Sequence, residues 1–252
     1  QIIADPNVDA VCIGTWPNTH AEMTCAALAA GKSVLVEARM ARNLSESLVM
    51  VDAAAARPDL VAQIVPSPFT LNADEAIRDR LENGTLGDLR EVVVEHATGI
   101  NADGDAPFTW RHDHEISGVN TMALGICFEP LLRWISGEAT VLAADALTFT
   151  KQRLTPNGTP RKVKIPESVT ILGRWGDGCL LRMHLTSVER GANRSLFKLV
   201  GSAATLVFDA NAQVLTEIDA SGAAQQIPIE SEPLLGWKVE RQFVDSIREG
   251  KP

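Results

Sequence analysis

The stretch at residues 9–42, DAVCIGTWPNTHAEMTCAALAAGKSVLVEARMAR, decides the fold that we predict for this chain. Two short apolar runs, Val11–Ile13 and Val34–Val36, predict buried β-strands. The residues between them have the apolar spacing of a helix, which Asn18 or Thr19 would cap. A strand–helix–strand unit with apolar strands predicts a right-handed crossover in a parallel α/β sheet.

Several side chains with polar or aromatic groups come directly after these two strands. In open α/β sheets, ligands bind beyond the carboxyl ends of the strands. The sequence therefore predicts a binding site made of Thr15, Trp16, Pro17, Asn18, His20 and Glu37.

The same stretch carries a resemblance to a known family. The matching residues are Thr15, Pro17 and His20 after the first strand, and Ala30-Gly31-Lys32, Val34 and Glu37 around the second. In this pattern the chain resembles the glucose–fructose oxidoreductase / inositol dehydrogenase (Gfo/Idh/MocA) family of nicotinamide-dependent sugar and polyol dehydrogenases. The resemblance implies NAD or NADP as cofactor, a small hydroxy compound as substrate, and cofactor contacts from the six residues that follow the strands. For His20, a role in bracing the loop is an equal alternative to cofactor contact.

Composition excludes some partners. The chain has 252 residues and a net charge of −9, and it contains no basic run. We therefore expect neither nucleic acid nor an anionic membrane as a partner. The four cysteines lie far apart without a C-x-x-C pair, and Cys12, Cys25 and Cys127 sit in apolar segments. They predict buried, reduced thiols and a cytoplasmic location.

Both ends of the chain resemble cuts in a longer protein. The sequence opens at Gln1 without an initiator Met, and it contains no G-x-G-x-x-G loop. The resemblance implies two further βα units upstream, about 60 residues at roughly 30 per βαβ unit, which would carry that loop. A natural protein with half of a dinucleotide-binding domain is the alternative.

A change of pattern near Gly87 predicts two domains. Residues 1–87 are expected to form the C-terminal part of a dinucleotide-binding (Rossmann) domain with a parallel sheet. Residues 88–252 combine an irregular loop at 99–118, a helix at 119–135 and a run of strands, which predicts an α+β domain with a large, mostly antiparallel sheet. By resemblance, the outer face of that sheet would form a homo-oligomer.

The family's three catalytic positions are substituted. Its hydride chemistry uses a Lys after the second strand, and an Asp and a His on the first helix of the second domain. Alignment on Gly118, Gly125 and Gly137 places these at Ala38, Ala123 and Cys127. An alanine transfers no proton, and a thiol in an apolar helix has its pKa raised by burial, so packing is the favoured role of Cys127.

Other residues are candidates to replace the lost groups. Arg39 would orient a hydroxyl or carboxylate, although a solvated surface arginine explains it equally.

His112 and His114, in Trp110-Arg111-His112-Asp113-His114-Glu115, are candidate general bases; a plain loop is the alternative. A metal site here is the weaker interpretation, because the spacing is poor and the family needs no metal, so we predict none. Trp110, Arg111 and Asn120 are the predicted substrate contacts.

Three functions remain open from the sequence. The first is an NAD(P)-dependent oxidoreductase acting on a sugar, polyol or related hydroxy compound with displaced proton-transfer groups. The second is a non-redox lyase or hydratase on the same scaffold, and the third is a non-catalytic binding or regulatory relative.

Overall fold

The computed structural model describes residues 2–118, 123–176, 178–229 and 237–250. The helices with their bounds are α1 (Pro17–Ala29), α2 (Leu44–Ala55), α3 (Asp74–Glu82), α4 (His114–Ser117), α5 (Leu124–Trp134) and α6 (Val239–Glu249). The strands are β1 (Ala10–Ile13), β2 (Ser33–Val36), β3 (Ala62–Ile64), β4 (Leu89–Thr98), β5 (Ala139–Leu147), β6 (Gln152–Leu154), β7 (Pro160–Lys162), β8 (Ser168–Trp175), β9 (Cys179–Thr186), β10 (Asn193–Gly201), β11 (Thr205–Asp209), β12 (Val214–Ile218) and β13 (Ala224–Ile227).

The chain divides into two compact units. The first unit comprises residues 1–66, 109–120 and 238–252, and the second comprises residues 67–108 and 121–237. The first unit therefore takes in two segments that are distant in sequence from its sheet. The domain boundary that the sequence predicts near Gly87 stays a prediction.

A parallel sheet with the order β1-β2-β3 forms the centre of the first unit. This confirms the predicted strand–helix–strand unit and the Rossmann-like fold class. Its core contains Ile13, Leu28, Val34 and Met50, contributed by strands and helices together. Helix α1 begins at Pro17, at least two residues earlier than the predicted caps imply, because proline is favoured at the first helical position. Trp16 is therefore the N-cap residue, and the predicted caps at Asn18 and Thr19 are wrong.

Strand β1 is an edge strand among the described strands, since it pairs with β2 on one side. The prediction that Cys12 is buried is wrong, because its side chain is exposed and lines a surface groove, and Cys25 is only partly buried. An apolar groove of about 580 Å³ lies next to this edge and is lined in part by Ile3, Val11 and Met23.

An eight-stranded sheet with the order β13-β12-β11-β10-β4-β9-β8-β5 forms the second unit. Strands β4 and β9 run parallel, and every other described pair in this sheet is antiparallel. This confirms the predicted large, mostly antiparallel sheet. Helix α5 covers part of the predicted helix at 119–135, whose first residues lie outside those described. Its residues Cys127, Leu131 and Trp134 are buried in the core of this unit.

A buried ion pair also stabilises the second unit. Arg153 and Glu167 lie 3.3 Å apart, and their side chains are 0% and 1% exposed. Arg153 donates to the carbonyl oxygens of Asp103 and Ala106, while Glu167 Oε2 accepts from the backbone N–H groups of residues 149 and 150. Because charges buried this deeply need partners, the pair fixes the loop at 101–106 against the sheet.

Within the described ranges, no helix combines the length and the apolar character needed to cross a bilayer.

Candidate functional site

The loop after β1 begins the candidate site in the first unit. The hydroxyls of Thr15 and Thr19 lie 2.6 Å apart, and the backbone N–H of Thr19 donates to Trp16 O at 3.0 Å. These bonds close the first turn of α1 and leave the Trp16 side chain 51% exposed. The Oδ1 atom of Asn18 is buried and receives no hydrogen bond from the described residues.

His20 connects this loop to the loop after β2. Its ring is 1% exposed, its Nδ1 lies 2.7 Å from Arg39 O, and its Nε2 lies 3.0 Å from Thr15 O. Each ring nitrogen therefore faces a backbone carbonyl oxygen, which is a hydrogen-bond acceptor. His20 is therefore positioned as a brace between the two loops. Glu37 lies at the same edge: its backbone N–H donates to Ile13 O, and its side chain is exposed.

The segment at 109–118 belongs to the first unit and supplies a further part of the site. The prediction of an irregular loop is wrong here, because the segment contains a 3-10 helix at Trp110–His112 followed by α4. Asp113 caps α4 by accepting from the backbone N–H of Glu115. Arg42 Nη1 donates to Glu115 O at 3.0 Å, which holds the segment beside the loop after β2.

An aromatic stack brings together residues that are far apart in the sequence. The rings of Trp16 and Trp110 are stacked, with centroids 6.0 Å apart and an interplanar angle of 22°. The guanidinium carbon of Arg111 lies 4.4 Å from the centroid of the Trp110 ring, within cation–π distance. The predicted cofactor residue Trp16 and the predicted substrate residues Trp110 and Arg111 thus form one structure, which we call the tryptophan stack.

Arg39 lies half-buried beside this segment. Its Nη2 donates to Ser117 Oγ at 2.9 Å, and its buried Nε has no hydrogen-bond partner among the described residues. Burial and the charge of Arg111 together lower the pKa of Arg39 to about 10. The group stays protonated at neutral pH, so it acts as a cationic donor and not as a base. A solvated surface arginine, the alternative left open by the sequence, does not describe this environment.

The two candidate bases occupy different environments. His112 is buried, and its Nδ1 accepts from the backbone N–H of Thr109 at 3.0 Å as part of a capping box. His114 keeps 41% of its side chain exposed, and its Nδ1 lies 3.3 Å from Glu115 Oε1. His112 therefore stabilises the turn, whereas His114 presents a ring that is accessible to a ligand. Across the described ranges, no three His, Cys, Asp or Glu side chains group in a way that would hold a metal ion.

The three substituted family positions divide between the units. Ala38 is exposed and directly precedes Arg39 in the first unit. Ala123 and Cys127 are 9% and 1% exposed in the core of the second unit. Burial raises the pKa of the Cys127 thiol to about 12, which supports packing as its role. The predicted substrate contact Asn120 lies outside the described residues.

The residues at the edge of the parallel sheet fit one end of a nicotinamide nucleotide. The unpaired Asn18 Oδ1 is an acceptor of the kind that a carboxamide N–H requires, and Trp16 offers an aromatic face. Phosphates of dinucleotides are bound by a glycine-rich loop at a helix N-terminus, and the sequence contains no such loop. The fit is therefore limited to the nicotinamide–ribose end.

Comparison with known proteins assigns the class. Residues 1–64 match the model of an oxidoreductase family with an NAD-binding Rossmann fold, and residues 75–207 match the model of the Gfo/Idh/MocA C-terminal domain. The N-terminal part of the chain thus matches the nucleotide-binding domain of this family, and the following part matches its C-terminal domain. The chain belongs to the Gfo/Idh/MocA family.

Individual relatives agree with this assignment. An uncharacterized oxidoreductase of Synechocystis sp. is 27% identical over 82% of this chain and 56% of its own. Levoglucosan dehydrogenase of Pseudarthrobacter phenanthrenivorans is 25% identical over 83% of this chain and 57% of its own. The chain thus spans a little over half the length of these relatives. A structure of levoglucosan dehydrogenase in complex with NADH and levoglucosan superposes with a TM-score of 0.89 at 21% identity, covering 99% of this chain and 73% of that one, which shows the shared fold.

Proposed function

We propose that this protein is an NAD(P)-dependent oxidoreductase that acts on a small hydroxy compound, such as a sugar, a polyol or a related molecule. The match of residues 1–64 to an NAD-binding Rossmann family is the observation that carries the proposal. The unpaired Asn18 Oδ1 and the exposed Trp16 ring, next to the carboxyl ends of β1 and β2, supply supporting chemistry.

The cofactor would supply the redox chemistry when bound, since an oxidised nicotinamide accepts a hydride from the carbon that carries the substrate hydroxyl. Thr15, Trp16, Pro17, Asn18, His20 and Glu37 are the residues proposed to hold or position its nicotinamide end. Of these, His20 acts indirectly, because both of its ring nitrogens already face backbone carbonyls.

Proton transfer needs a new residue, because Ala38 and Ala123 carry no ionisable group and the thiol of Cys127 has a pKa of about 12. We propose His114 for this step. Imidazole exchanges a proton readily near neutral pH, and the His114 ring is accessible. The carboxylate of Glu115, 3.3 Å from Nδ1, would stabilise the imidazolium formed when Nε2 takes the hydroxyl proton.

The first experiment measures cofactor binding and turnover separately. Energy transfer from tryptophan to NADH and to NADPH should report binding and identify the preferred nucleotide. Oxidation of a panel of sugars, polyols and dihydrodiols is then followed by the appearance of reduced nicotinamide. Absence of energy transfer at saturating NADH and NADPH would overturn the proposal.

Two histidine variants test the proposed base. His114→Ala should lower kcat by about 100-fold or more while NADH affinity stays unchanged, because only proton transfer is lost. His112→Ala should mainly lower the thermal midpoint, because it removes the cap of the 3-10 helix. If His114→Ala retains the full kcat, the assignment of the base is wrong.

A non-catalytic binding protein is the second candidate function. The observation that favours it is the loss of all three family positions, with Cys127 buried in the core. Binding of NADH without turnover of any compound in the panel would support this candidate over the first.

We also propose, from family resemblance, that the protein forms a homo-oligomer through the outer face of the eight-stranded sheet. Exposed apolar side chains on β5 and β8, including Val141, Leu142 and Leu172, support this.

A further inference from the structure

We propose that Arg39 and Arg111 form a carboxylate-binding site, and that the ligand of the protein is therefore a sugar acid and not a neutral sugar or polyol. The substrate part of this inference rests on the proposed function, whereas the binding part can be tested independently of turnover.

The two arginines lack a counter-charge within the described part of the chain. The Arg39 guanidinium has five N–H groups. Among the described residues it donates one hydrogen bond, from Nη2 to Ser117 Oγ, and its buried Nε has no partner. Arg39 contacts Ser117, which lies on the same 109–118 segment as Arg111. In agreement with this, burial and the charge of Arg111 both lower the pKa of Arg39. Neither forms an ion pair with a described carboxylate.

The described acidic side chains on the same segments form no ion pair with Arg39 or Arg111. Glu46 pairs with Arg42, Asp113 caps α4, and Glu115 lies 3.3 Å from His114 Nδ1. Glu37, two residues before Arg39, is exposed. A half-buried guanidinium without a counter-ion is unfavourable, because desolvation is not offset by Coulomb attraction. Groups that destabilise the unliganded protein in this way are typical of binding sites, where the ligand supplies the missing partner.

The tryptophan stack indicates what the rest of the ligand is. Arg111 lies over the Trp110 ring, and the half-exposed Trp16 is stacked with that same ring. The partly exposed Trp110 ring, beside Arg111, offers apolar surface suited to the C–H groups of a sugar ring, next to the face of Trp16 that is proposed to contact the nicotinamide. Guanidinium groups beside such a surface bind a planar carboxylate with two parallel hydrogen bonds. Together these groups fit a sugar ring that carries a carboxylate.

A phosphate is less suited to this place. Phosphate sites in proteins typically add several backbone N–H groups from a glycine-rich turn at a helix N-terminus. Arg39 is followed by Met40-Ala41-Arg42, which contains no glycine, and the N–H of Arg42 is already bound by Glu46. The donors available are therefore side-chain guanidinium groups.

The test compares a carboxylate ligand with its uncharged amide and with phosphate. Binding of D-glucuronate, its uncharged analogue D-glucuronamide, and inorganic phosphate is measured by calorimetry and by tryptophan fluorescence at constant ionic strength. We expect glucuronate to bind at least about 10-fold more tightly than glucuronamide, which corresponds to one charge-assisted hydrogen bond. Phosphate should bind more weakly than glucuronate.

Variants assign the effect to the arginines. Arg39→Met should weaken glucuronate binding by about 10- to 100-fold and leave glucuronamide binding unchanged. Arg39→Lys, which keeps the charge without the planar fork, should give an intermediate loss. Arg57→Met is the matched control, since Arg57 lies in the same unit and already pairs with Asp59. It should not change glucuronate binding.

A second readout does not depend on the ligand chosen. Because Arg39→Met removes an uncompensated charge, it should raise the thermal midpoint of the unliganded protein, whereas Arg57→Met should not. A lower midpoint in Arg39→Met would show that Arg39 is structural and would overturn the proposal. This readout also shows whether the variant is folded.

The remaining outcomes are equally decisive. Equal binding of glucuronate and glucuronamide, or preferential binding of phosphate, overturns the sugar-acid assignment. If Arg39→Met loses NADH binding together with glucuronate binding, the arginines contact the cofactor. This result would also overturn the sugar-acid assignment. NADH binding by the wild-type protein is unaffected by these outcomes, so the proposed function would survive them.

Discussion

Gly118 shows how a single residue holds the site segment in place. It has a positive φ of 73°, and a Cβ built on it would lie 2.0 Å from Arg42 O and 2.5 Å from Arg42 Cα. Only glycine allows this approach of the 109–118 segment to the loop after β2. The same loop carries Arg39, so the position of the proposed carboxylate site depends on it.

Replacing Gly118 by alanine should destabilise the protein by more than about 2 kcal/mol, through backbone strain and a clash with Arg42. Gly158→Ala is the matched control. Gly158 also has a positive φ, of 82°, but a Cβ there would meet no atom within 4 Å. Gly158→Ala should lower the free energy of unfolding by only about 1 kcal/mol, which is the cost of placing an alanine at positive φ without a clash. Urea unfolding measures both, and equal losses would contradict the role assigned to the contact with Arg42.

Residue identity indicated candidate site residues but not the contacts that they make. The sequence indicated Arg39, Trp110 and Arg111 as site residues, and the structure brings all three into the first unit. It did not predict that Trp16 stacks on Trp110, because the two residues are separated by 94 positions and no local pattern links them. Nor did it show that His112 serves as a cap, since capping depends on the turn that forms around it.

At the scale of the elements, an apolar pattern in the sequence marks some strands and is absent from others. Strands β1, β2 and β8 have continuous or alternating apolar residues, which identify them directly. Strand β7 is Pro-Arg-Lys and β13 is Ala-Gln-Gln-Ile, and neither has an apolar pattern. Pairing with a neighbouring strand, which sequence does not display, determines their conformation.

His96 in β4 provides a test at this scale. It pairs in register with Ser195 of β10, its Nδ1 lies 2.7 Å from Ser195 Oγ, and burial lowers its pKa below the ordinary value of 6.5. As the pH falls through about 6.5, the unfolded chain therefore gains a proton before the folded protein does. The free energy of unfolding should decrease as the pH falls from neutrality toward about pH 5.

The variant His96→Gln, which cannot gain a proton, should show a shallower decrease over this range. Urea denaturation at a series of pH values, with the urea dependence checked for constancy, measures the difference. Parallel pH curves for the wild type and His96→Gln would show that His96 does not contribute to the acid sensitivity.

At the scale of the whole molecule, the proposed role of the exposed face of the eight-stranded sheet in self-association can be tested. Leu172→Lys places a charge on β8 at a side chain that is already 44% exposed. It should weaken self-association by about 10-fold or more, because burying a lysine in an apolar interface is unfavourable, while the thermal midpoint of the subunit stays unchanged. Sedimentation velocity over a range of concentrations measures the association.

Leu154→Lys is the control for this change. Leu154 is 55% exposed but lies on the separate β6–β7 hairpin. Its substitution should leave assembly unaffected. Identical sedimentation of Leu172→Lys and the wild type would exclude this face as the interface.

The composition of the first unit from three stretches of chain limits how the protein can be dissected. The backbone leaves that unit after residue 66, returns for 109–120, leaves again, and finishes in it from 238 onward. No single cut can release the first unit as a fragment that keeps both Trp110 and α6. A junction between residues 66 and 109 would therefore separate Arg111 from Arg39, and exchange of the whole first unit between relatives needs four matched junctions.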